Sequence, residues 1–288
     1  MKITDIFKLT PRTFSFEFFP PKDEISAVDF GINIGRLLKL NPSFVTVTYG
    51  AGGSTQERTF ALVDYLQNKI GLNTMAHYTC VDAPKEKIID DLRILHECHI
   101  ENLMVLRGDP PNGTKHFNVI PNGFAHANEL MYHIKQLPFN FCIGGGAYPD
   151  KHPEAASLEE DIQHLKKKIT AGAEFLITQL FFDNKRYFDF VSRCRAEEIT
   201  NRIIPGIIPI TAYSQLSRFS GLSNAIVPEA LQTLMEQYKN QPKKIYQIGM
   251  DFAIQQCRDL LLMGAPGIHF YTLNKSRATV EIFETLIK

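Results

Sequence analysis

The chain has 288 residues, of which 44% are hydrophobic and 22% charged, and its 31 basic and 31 acidic residues cancel. This balance argues against non-specific binding to nucleic acid or to an anionic membrane, since both need excess positive charge. No apolar run approaches the ~20 residues of a membrane span, and the segment Met1–Asp5 does not start a signal peptide. We expect a cytoplasmic protein with neither a membrane nor a nucleic-acid partner.

The chain alternates short apolar runs, rich in Phe, Val, Ile and Thr, with longer amphipathic segments. The runs predict eight strands. In chain order they are Thr13–Phe19, Phe44–Tyr49, Asn73–Cys80, Asn102–Gly108, Phe141–Ala147, Phe175–Phe182, Arg202–Ile210 and Gly267–Leu273. The amphipathic segments predict helices such as Thr55–Lys69, Pro84–Cys98, Glu159–Ala171 and Lys244–Met263. The long segment Ala212–Gln241 is expected to hold two helices.

Residues typical of helix ends support this division. Ser54 and Ser157 are each followed three residues later by Glu, the pattern of a capping box at a helix start. Gly71, Gly172 and Gly264 stand where helices should end.

Strict alternation of strand and helix with short links indicates right-handed strand–helix–strand units. Eight such units close into a (β/α)8 TIM barrel, and we assign residues 1–288 to one catalytic domain of that α/β class. A doubly wound open sheet is the alternative fold.

The cysteines are five in number, far apart and without a Cys-x-x-Cys pair. A disulfide framework or a zinc knuckle is therefore not expected, and we expect reduced thiols in or near the core. No cluster of His, Asp or Glu has the spacing of metal ligands either. The cysteines are Cys80, Cys98, Cys142, Cys194 and Cys257.

Polar residues recur where the predicted strands end. Catalytic groups of such barrels lie at this carboxyl-terminal face, and polar side chains are costly to bury unpaired. We therefore predict an enzyme active site, although the seventh strand is almost wholly apolar. The polar strand ends carry Glu17, Thr48, His77, Arg107, Asp109, Tyr148, His152, Gln179, Asp183, His269, Tyr271, Thr272 and Asn274.

Glu17 is the most informative single residue, because it lies between Phe16 and Phe18. With the period of two in a strand, the two rings point toward the helices and Glu17 points into the barrel. Burial among aromatic rings favours the neutral form of a carboxyl group, which makes Glu17 a candidate general acid. The alternative is a structural Glu paired with Arg or Lys.

The remaining polar features leave alternatives open. Arg107 and Asp109 share a face of their strand. They are either site residues or one ion pair at a loop mouth. The glycine segments 50–53 and 144–146 allow a flat or phosphorylated ligand to approach, or they form ordinary turns. Asp161, His164 and Lys168 lie on one face of a helix, which is also the pattern of a solvated flank. His77 alone is equally typical of a structural histidine.

Seven sequence blocks together carry a family resemblance, and they spread from residue 15 to residue 274. The chain resembles the methylenetetrahydrofolate reductase family, in its short bacterial form without the C-terminal regulatory domain. The blocks are residues 15–22 (SFEFFPPK), 47–51 (VTYGA), 106–109 (LRGD), 147–154 (AYPDKHPE), 177–183 (ITQLFFD), 205–209 (PGIIP) and 269–274 (HFYTLN).

The resemblance implies an FAD-dependent barrel enzyme that reduces 5,10-methylenetetrahydrofolate to 5-methyltetrahydrofolate. NADH or NADPH would be the donor, and hydride would pass through the flavin in a ping-pong reaction. The folate would be the small-molecule partner, and a homo-oligomer is expected.

The resemblance also implies roles for individual residues. Glu17 would be the general acid, and Asp109 would lie beside flavin and folate and stabilise a cationic iminium. Gln179 and Gln215 would contact folate, and Phe219 would stack on folate or nicotinamide. Lys275 would also bind folate, although it replaces a family Arg and lacks the two-pronged fork of a guanidinium. The implied flavin contacts are Thr48, Tyr49, Ala51, His77, Arg107, Gly108, Asp109, His126, Ala127, Tyr148, His152, Ala155, Asp161, His164 and Lys168.

Two other functions remain as alternatives. One is a different FAD barrel enzyme, similar to proline dehydrogenase. The other is a non-catalytic subunit that binds folate or flavin only. The presence of Glu17, Asp109 and Gln179 together argues against both.

Overall fold

The structure is a computed structural model that describes residues 1–49, 56–81, 83–109, 119–223 and 225–286. Its strands are β1 (Thr13–Phe18), β2 (Phe44–Val47), β3 (Thr74–Thr79), β4 (Asn102–Leu106), β5 (Cys142–Ala147), β6 (Phe175–Thr178), β7 (Arg202–Ile204), β8 (Gly206–Ile207) and β9 (Gly267–Tyr271). The helices are α1 (Ile3–Leu9), α2 (Glu24–Leu38), α3 (Gln56–Asp64), α4 (Lys85–Glu97), α5 (Ala127–Gln136), α6 (Leu158–Thr170), α7 (Asn184–Ala196), α8 (Gln215–Ser223), α9 (Glu229–Gln237), α10 (Pro242–Leu262) and α11 (Arg277–Leu286). A π-helical turn, Tyr65–Lys69, continues α3.

All strands are parallel, and they close into a ring. The sheet order is β7-β6-β5-β4-β3-β2-β1-β9-β8. β7 and β8 are the two parts of one barrel strand interrupted at Pro205, whose nitrogen has no hydrogen to donate. β7 pairs with β6 and β8 pairs with β9, so this strand joins both ends of the sheet. The predicted TIM barrel is confirmed, and the open doubly wound sheet is excluded because it would leave two free edges.

The predicted element boundaries agree with the structure to within a few residues, with two clear exceptions. The sixth strand was predicted to run to Phe182 but ends at Thr178. The seventh was predicted to run unbroken to Ile210, but its second part ends at Ile207. The two helices expected in residues 212–241 are α8 and α9. Gly71, Gly172 and Gly264 have φ angles of 80°, 115° and 94°, the left-handed conformation that ends a helix.

The second predicted capping box forms only in part. The Ser157 hydroxyl accepts a hydrogen bond from the Glu160 backbone nitrogen, as expected. The Glu160 carboxylate, however, accepts from the Ala156 nitrogen instead of the Ser157 nitrogen. Ser54, of the first predicted box, lies outside the described residues, as do Ala51 and the glycine segment 50–53.

The alternation predicted around Glu17 is confirmed. Phe18 packs edge-on against Phe30 of α2, and Phe16 packs against Phe283 of α11. Glu17 points the other way, into the barrel, where it is 7% exposed.

The lower half of the barrel interior is apolar. It is filled by Ile3, Phe44, Met75, Met104, Cys142, Phe175, Ile177 and Ile204. α1 lies across the amino-terminal end of the strands, where the Phe7 ring packs edge-on to Phe175 at 5.3 Å. The Arg202 guanidinium lies 4.3 Å from the Phe7 ring and donates to the Phe7 carbonyl. Polar interior side chains are therefore concentrated toward the carboxyl-terminal end.

The five cysteines are free thiols, and four of them are buried, as expected; Cys98 is partly exposed. Among the described residues, no helix is both long enough and apolar enough to span a bilayer.

Candidate active site

The floor of the barrel mouth is formed by Glu17 and two histidines. Glu17 Oε2 lies 3.4 Å from Nε2 of His77 on β3 and 3.7 Å from Nε2 of His269 on β9. Nδ1 of His269 lies 2.8 Å from the Ser15 hydroxyl. The Arg or Lys that a structural glutamate would need is thus replaced by two imidazoles.

His77 is held neutral by its surroundings. Burial lowers its pKa, the nearby Glu17 opposes this shift, and His269 adds to it. The Nε2 atom of His77 makes no hydrogen bond of regular geometry within the described part of the chain. Glu17 therefore faces an uncharged ring on this side.

Tyr271 connects this floor to β6, across the interrupted strand β7/β8. It pairs with Glu17 across the β1–β9 ladder, and its hydroxyl donates to the Thr178 carbonyl of β6 at 2.6 Å. Burial raises the pKa of Tyr271 well above its usual value, with Glu17 and Tyr148 adding to the rise. The ring passes over Gly206, where a Cβ atom would lie only 2.6 Å from Tyr271 Cε2. Gly206 is thus required by the position of the tyrosine.

A cavity of about 710 Å³ opens over the carboxyl ends of β3, β4, β5 and β6. The structure brings most of the predicted flavin contacts into its lining, together with the predicted folate residue Gln179. The predicted residues found there are Tyr49, Arg107, Gly108, Asp109, His126, Ala127, Tyr148, His152, Ala155, Asp161, His164, Lys168 and Gln179.

One wall of the cavity is the predicted face of α6. Lys168 extends from this helix and donates to the Gly146 carbonyl at 2.9 Å. Burial lowers the pKa of Lys168, and the nearby Asp161 opposes the shift. Asp161 accepts from the His152 backbone nitrogen at 2.9 Å, which anchors the loop after β5. The face is therefore part of the cavity and not only a solvated flank.

The loop after β5 presents packed rings to the same cavity. The His152 ring packs edge-on to the Tyr148 ring with centroids 4.7 Å apart. Burial raises the pKa of Tyr148 to about 12 and lowers that of His152. Both rings are consequently neutral and suited to contact a flat ligand.

The glycine segment 144–146 was predicted either to let a ligand approach or to have an ordinary structural role, and its residues differ in this respect. The Phe175 ring occupies the space beside Gly144, where a Cβ atom would lie 2.8 Å from the ring carbon Cζ. Gly146 lines the cavity. Gly146 therefore leaves its backbone open to a ligand, whereas Gly144 does not.

Arg107 pairs with Glu154, across the mouth of the cavity. Two guanidinium nitrogens donate to the two Glu154 oxygens, each at 2.6 Å. This pair raises the pKa of Arg107 and lowers that of Glu154. The ion pair considered for Arg107 was with Asp109, whereas the partner found is Glu154. Asp109 itself is exposed at the rim, after Gly108 with its φ of 93°.

Several predicted site residues lie away from this lining. Gln215 is occupied at the start of α8, where Oε1 accepts from the Thr211 and Ala212 nitrogens at 2.7 and 3.0 Å. Phe219 is 2% exposed and packs in an apolar cluster with residues that follow β6 and β8, among them Leu180 and Ile210. Lys275 is exposed in the loop after β9. Thr48 follows β2, with its nitrogen bonded to the Phe18 carbonyl.

The cavity also contains residues that were not predicted, among them Thr79, Val81, Asn128, Glu129 and Glu154. The Thr79 hydroxyl is buried and has no hydrogen-bond partner among the described residues. Thr79 follows His77 by two residues and therefore lies on the same face of the strand. This spacing is the sequence feature from which it could have been predicted as a cavity residue. Glu154 ends the block AYPDKHPE, but its pairing with Arg107 depends on the folded loop.

A larger cavity, of about 930 Å³, adjoins this one between α5 and α6. It shares Asn128, Glu129 and Lys167 with the first. It lies outside the barrel and is not lined by the polar strand ends. We therefore take the smaller cavity as the candidate site. Neither Glu17 nor His77 is among its lining residues, but Thr79, which shares the face of β3 with His77, is one of them.

Comparison with known proteins agrees with the resemblance. The family model for methylenetetrahydrofolate reductase matches residues 2–287. The chain is 36% identical to "Methylenetetrahydrofolate reductase (NADH) 1" of Arabidopsis thaliana over 99% of its own length and 50% of that protein. It thus spans about half the length of the plant relatives.

The bacterial relatives are covered almost completely. The chain is 36% identical to "5,10-methylenetetrahydrofolate reductase" of Pectobacterium carotovorum, over 94% of this chain and 89% of that protein. The protein of the same name from Escherichia coli K12 is 33% identical over 94% of this chain and 90% of its own length. The predicted resemblance to the short bacterial form is confirmed by this coverage.

A solved structure shows the same fold at low identity. It is described as an uncharacterized protein from Clostridium thermocellum that binds two copies of 5-methyl-5,6,7,8-tetrahydrofolic acid. It covers 98% of this chain, and 96% of that chain is matched, with a TM-score of 0.66 and 14% identity. The family assignment rests on the sequence relatives and on the family model. By both criteria, this chain belongs to the methylenetetrahydrofolate reductase family.

Proposed function

We propose that this protein reduces 5,10-methylenetetrahydrofolate to 5-methyltetrahydrofolate, with FAD as cofactor and NADH or NADPH as donor. The observation that carries the proposal is the cavity over the carboxyl ends of the strands, lined by Asp109 and Gln179, together with the buried carboxyl of Glu17 inside the barrel. Family membership supports the reaction, and the buried position of Glu17 supports its role as the acid.

The cavity suits a flavin on three counts. Lys168 places a positive charge in the wall, which would hold a diphosphate. Gly146 leaves bare backbone in the lining, where a flat ring can approach closely. The Thr79 hydroxyl, which has no partner within the described part of the chain, offers a buried hydrogen-bonding group. Held by these residues, FAD would supply the hydride-transfer chemistry between nicotinamide and folate.

Glu17 would supply the proton for folate reduction. Its carboxyl would protonate the ring nitrogen that leaves as the five-membered ring opens to an iminium. His77 and His269 lie 3.4 and 3.7 Å from the Glu17 carboxyl oxygen, and the Ser15 hydroxyl lies beside His269 Nδ1, so these groups form a polar path behind Glu17. General acid catalysis of this kind contributes about 10²–10⁴ in rate, or roughly 3–5 kcal/mol of barrier.

Asp109 and Gln179 would act on the cationic intermediate and on the bound rings. A carboxylate beside an iminium stabilises its positive charge, although Asp109 is exposed and solvent screens part of that effect. Gln179 Oε1 accepts from the Leu180 nitrogen at 2.9 Å, which fixes the amide and leaves its NH₂ free to donate to a ligand. For Phe219 to stack on a ligand, α8 would have to shift so that the ring leaves its apolar cluster.

The test is a comparison of two half-reactions in a Glu17→Gln variant under anaerobic conditions. We expect the flavin to be bleached by NADH as in the wild type, because this step needs no acid. Reoxidation by methylenetetrahydrofolate should slow by at least ~10²-fold. Glu284→Gln, the same change at an exposed position of α11, should leave both steps unchanged.

Two outcomes would reject parts of the proposal. Folate reduction near the wild-type rate in Glu17→Gln would show that Glu17 is not the acid. A purified protein that stays colourless after FAD is added would favour a non-catalytic binding subunit.

A further inference from the structure

His269 is a buried imidazole whose place follows from the register between β1 and β9. It pairs directly with Ser15, while Glu17 lies two residues further along β1. Successive side chains of a strand alternate between its two faces, so Ser15 and Glu17 share the interior face. The His269 ring therefore reaches Glu17 along the diagonal of the ladder, with its Nε2 atom 3.7 Å from Glu17 Oε2.

The orientation of the His269 ring is held by three neighbours. The Phe44 ring stacks on it with an interplanar angle of 15°, and the Tyr271 ring packs edge-on with centroids 5.2 Å apart. The third neighbour is the Ser15 hydroxyl, 2.8 Å from Nδ1. Since His269 is only 1% exposed, its ring cannot turn without displacing these groups. The Nε2 atom is thereby kept facing the Glu17 carboxyl.

The Ser15 hydroxyl determines which nitrogen of the ring carries the proton. A hydroxyl has one hydrogen to donate, and a neutral imidazole has one N–H group and one bare nitrogen. Among the described residues, the acceptor within reach of the Ser15 hydroxyl is Nδ1 of His269, and no other hydrogen bond of this hydroxyl is present there. A buried hydroxyl left without an acceptor is costly. Nδ1 therefore accepts, and the proton of the ring lies on Nε2, facing Glu17.

We propose that His269, oriented by Ser15, is a positioning residue whose Nε2–H group stabilises the carboxylate that Glu17 becomes as it gives its proton to folate. The inference rests on the proposed function. In that step the O–H bond of Glu17 breaks, an N–H bond forms on the leaving folate nitrogen, and the electron pair stays on the Glu17 oxygen. Negative charge thus develops on a buried carboxyl, where a donor fixed in advance is most effective.

The distance between the two groups suits this role. At 3.7 Å, Nε2 and Oε2 are farther apart than the partners of a regular hydrogen bond, so His269 interacts weakly with a neutral carboxyl. The attraction grows when the carboxyl becomes charged, and the contact can then shorten. An interaction that is stronger in the transition state than before it raises the rate instead of only tightening binding.

The other titratable groups that face Glu17 in the described part of the chain are His77 of β3 and Tyr271 of β9. The Tyr271 hydroxyl already donates to the Thr178 carbonyl, so its hydrogen is engaged elsewhere. Nε2 of His77 lies 3.4 Å from Oε2 but makes no hydrogen bond of regular geometry among the described residues. His269 is the neighbour whose donor is fixed by a second side chain.

The first test follows the two half-reactions under anaerobic conditions in His269→Phe and His269→Gln. Phenylalanine fills the space of the ring without a donor, whereas the glutamine NH₂ group can take the place of Nε2–H. His269→Phe should slow single-turnover reoxidation of the flavin by methylenetetrahydrofolate about tenfold, the effect of losing one hydrogen bond to a charged group. Reduction by NADH should be unchanged, and His269→Gln should recover part of the lost rate.

Two controls separate positioning from a structural role. His96→Phe makes the same change at an exposed position of α4 and should alter neither half-reaction. In a Glu17→Gln background, His269→Phe should cause no further slowing, because no carboxylate forms there. Equal slowing of both half-reactions, or the same tenfold loss in the Glu17→Gln background, would overturn the proposal.

The second test reads the position of the ring proton directly and does not depend on catalysis. ¹⁵N NMR of protein labelled in its histidine side chains should show the Nε2–H form for His269, whose signals are identified by their absence in His269→Gln. Ser15→Ala, a small change that keeps the ring, should disturb this form and slow reoxidation by folate. A proton on Nδ1 in the wild type would overturn the proposal.

Failure of this inference can be told from failure of the proposed function. If Glu17→Gln slows folate reduction but His269→Phe and Ser15→Ala do not, Glu17 remains the acid and the role of His269 is wrong. If Glu17→Gln itself reduces folate at the wild-type rate, the acid assignment falls, and the role of His269 falls with it.

Discussion

Replacing Gly206 by alanine would place a methyl group where the structure has no room. The new Cβ atom would lie 2.6 Å from Cε2 and 2.8 Å from the hydroxyl oxygen of Tyr271, and closer still to the Thr178 carbonyl oxygen. The carbonyl belongs to β6 and cannot move without disturbing the ladder. The methyl group fits only if the backbone at Gly206 moves away from β6 and the tyrosine ring also shifts, and with the ring the hydrogen bond from its hydroxyl to the Thr178 carbonyl.

Overpacking of a fixed core costs typically 1–3 kcal/mol. With one rigid and one movable neighbour, we expect about 2 kcal/mol of lost stability, which lowers the melting temperature by roughly 4–8 °C in a domain of this size. The displaced ring lies beside Glu17, so reoxidation of reduced flavin by folate should also slow, while reduction by NADH should change less.

The assay is thermal unfolding followed by circular dichroism, with Gly145→Ala as the matched control. At Gly145 a Cβ atom would meet only the ends of flexible side chains, Leu176 and Met131, each at 3.3 Å. Its melting temperature should fall by less than about a third as much, since those ends can turn aside. Equal melting temperatures for Gly206→Ala and the wild type would refute the reasoning.

Three further predictions concern other parts of the barrel. Since burial lowers the pKa of His77 below its ordinary 6.5, the unfolded chain takes up protons first as pH falls; stability should be full above pH 6.5 and decline below it. In urea titrations at several pH values His77→Asn should reduce this dependence, but not abolish it, because His133 and His152 shift the same way. Asp91 accepts hydrogen bonds from the Tyr78 hydroxyl at 2.8 Å and from Lys87 at 2.7 Å. Asp91→Ala should therefore lower the free energy of unfolding, measured by chemical denaturation, by ~1–3 kcal/mol. An unchanged free energy of unfolding would show that these hydrogen bonds do not stabilise the fold. Lys168→Met should weaken FAD binding by about tenfold or more in a fluorescence titration, and unchanged affinity would contradict its assignment to the diphosphate.

Much of the fold was predictable because it depends on local periodicity. Alternating apolar runs and helix-ending glycines located the barrel elements, and the period of two oriented Glu17 correctly. The break at Pro205 was missed, although proline in a strand is a local signal, because the surrounding run of isoleucines remained continuous.

The partners of the polar residues were beyond sequence reasoning. Ser15 and His269, which lie behind Glu17, are 254 residues apart in the chain. They meet only because closure of the barrel pairs β1 with β9. Arg107 and Glu154 are 47 residues apart and depend on the shape of one loop. The partner of each charged or polar side chain is decided by strand register and loop geometry, and neither of these produces a periodic pattern in the sequence.

α1 has a consequence for the order in which reactants arrive. Because Phe7 and Arg202 close the amino-terminal end of the barrel, the described part of the interior opens at the opposite end. Under the proposed function, donor and acceptor would use this opening in turn, each product leaving before the next reactant enters. Each substrate in excess should then compete with the other for the opening. Raising the concentration of one substrate would therefore raise the apparent KM of the other.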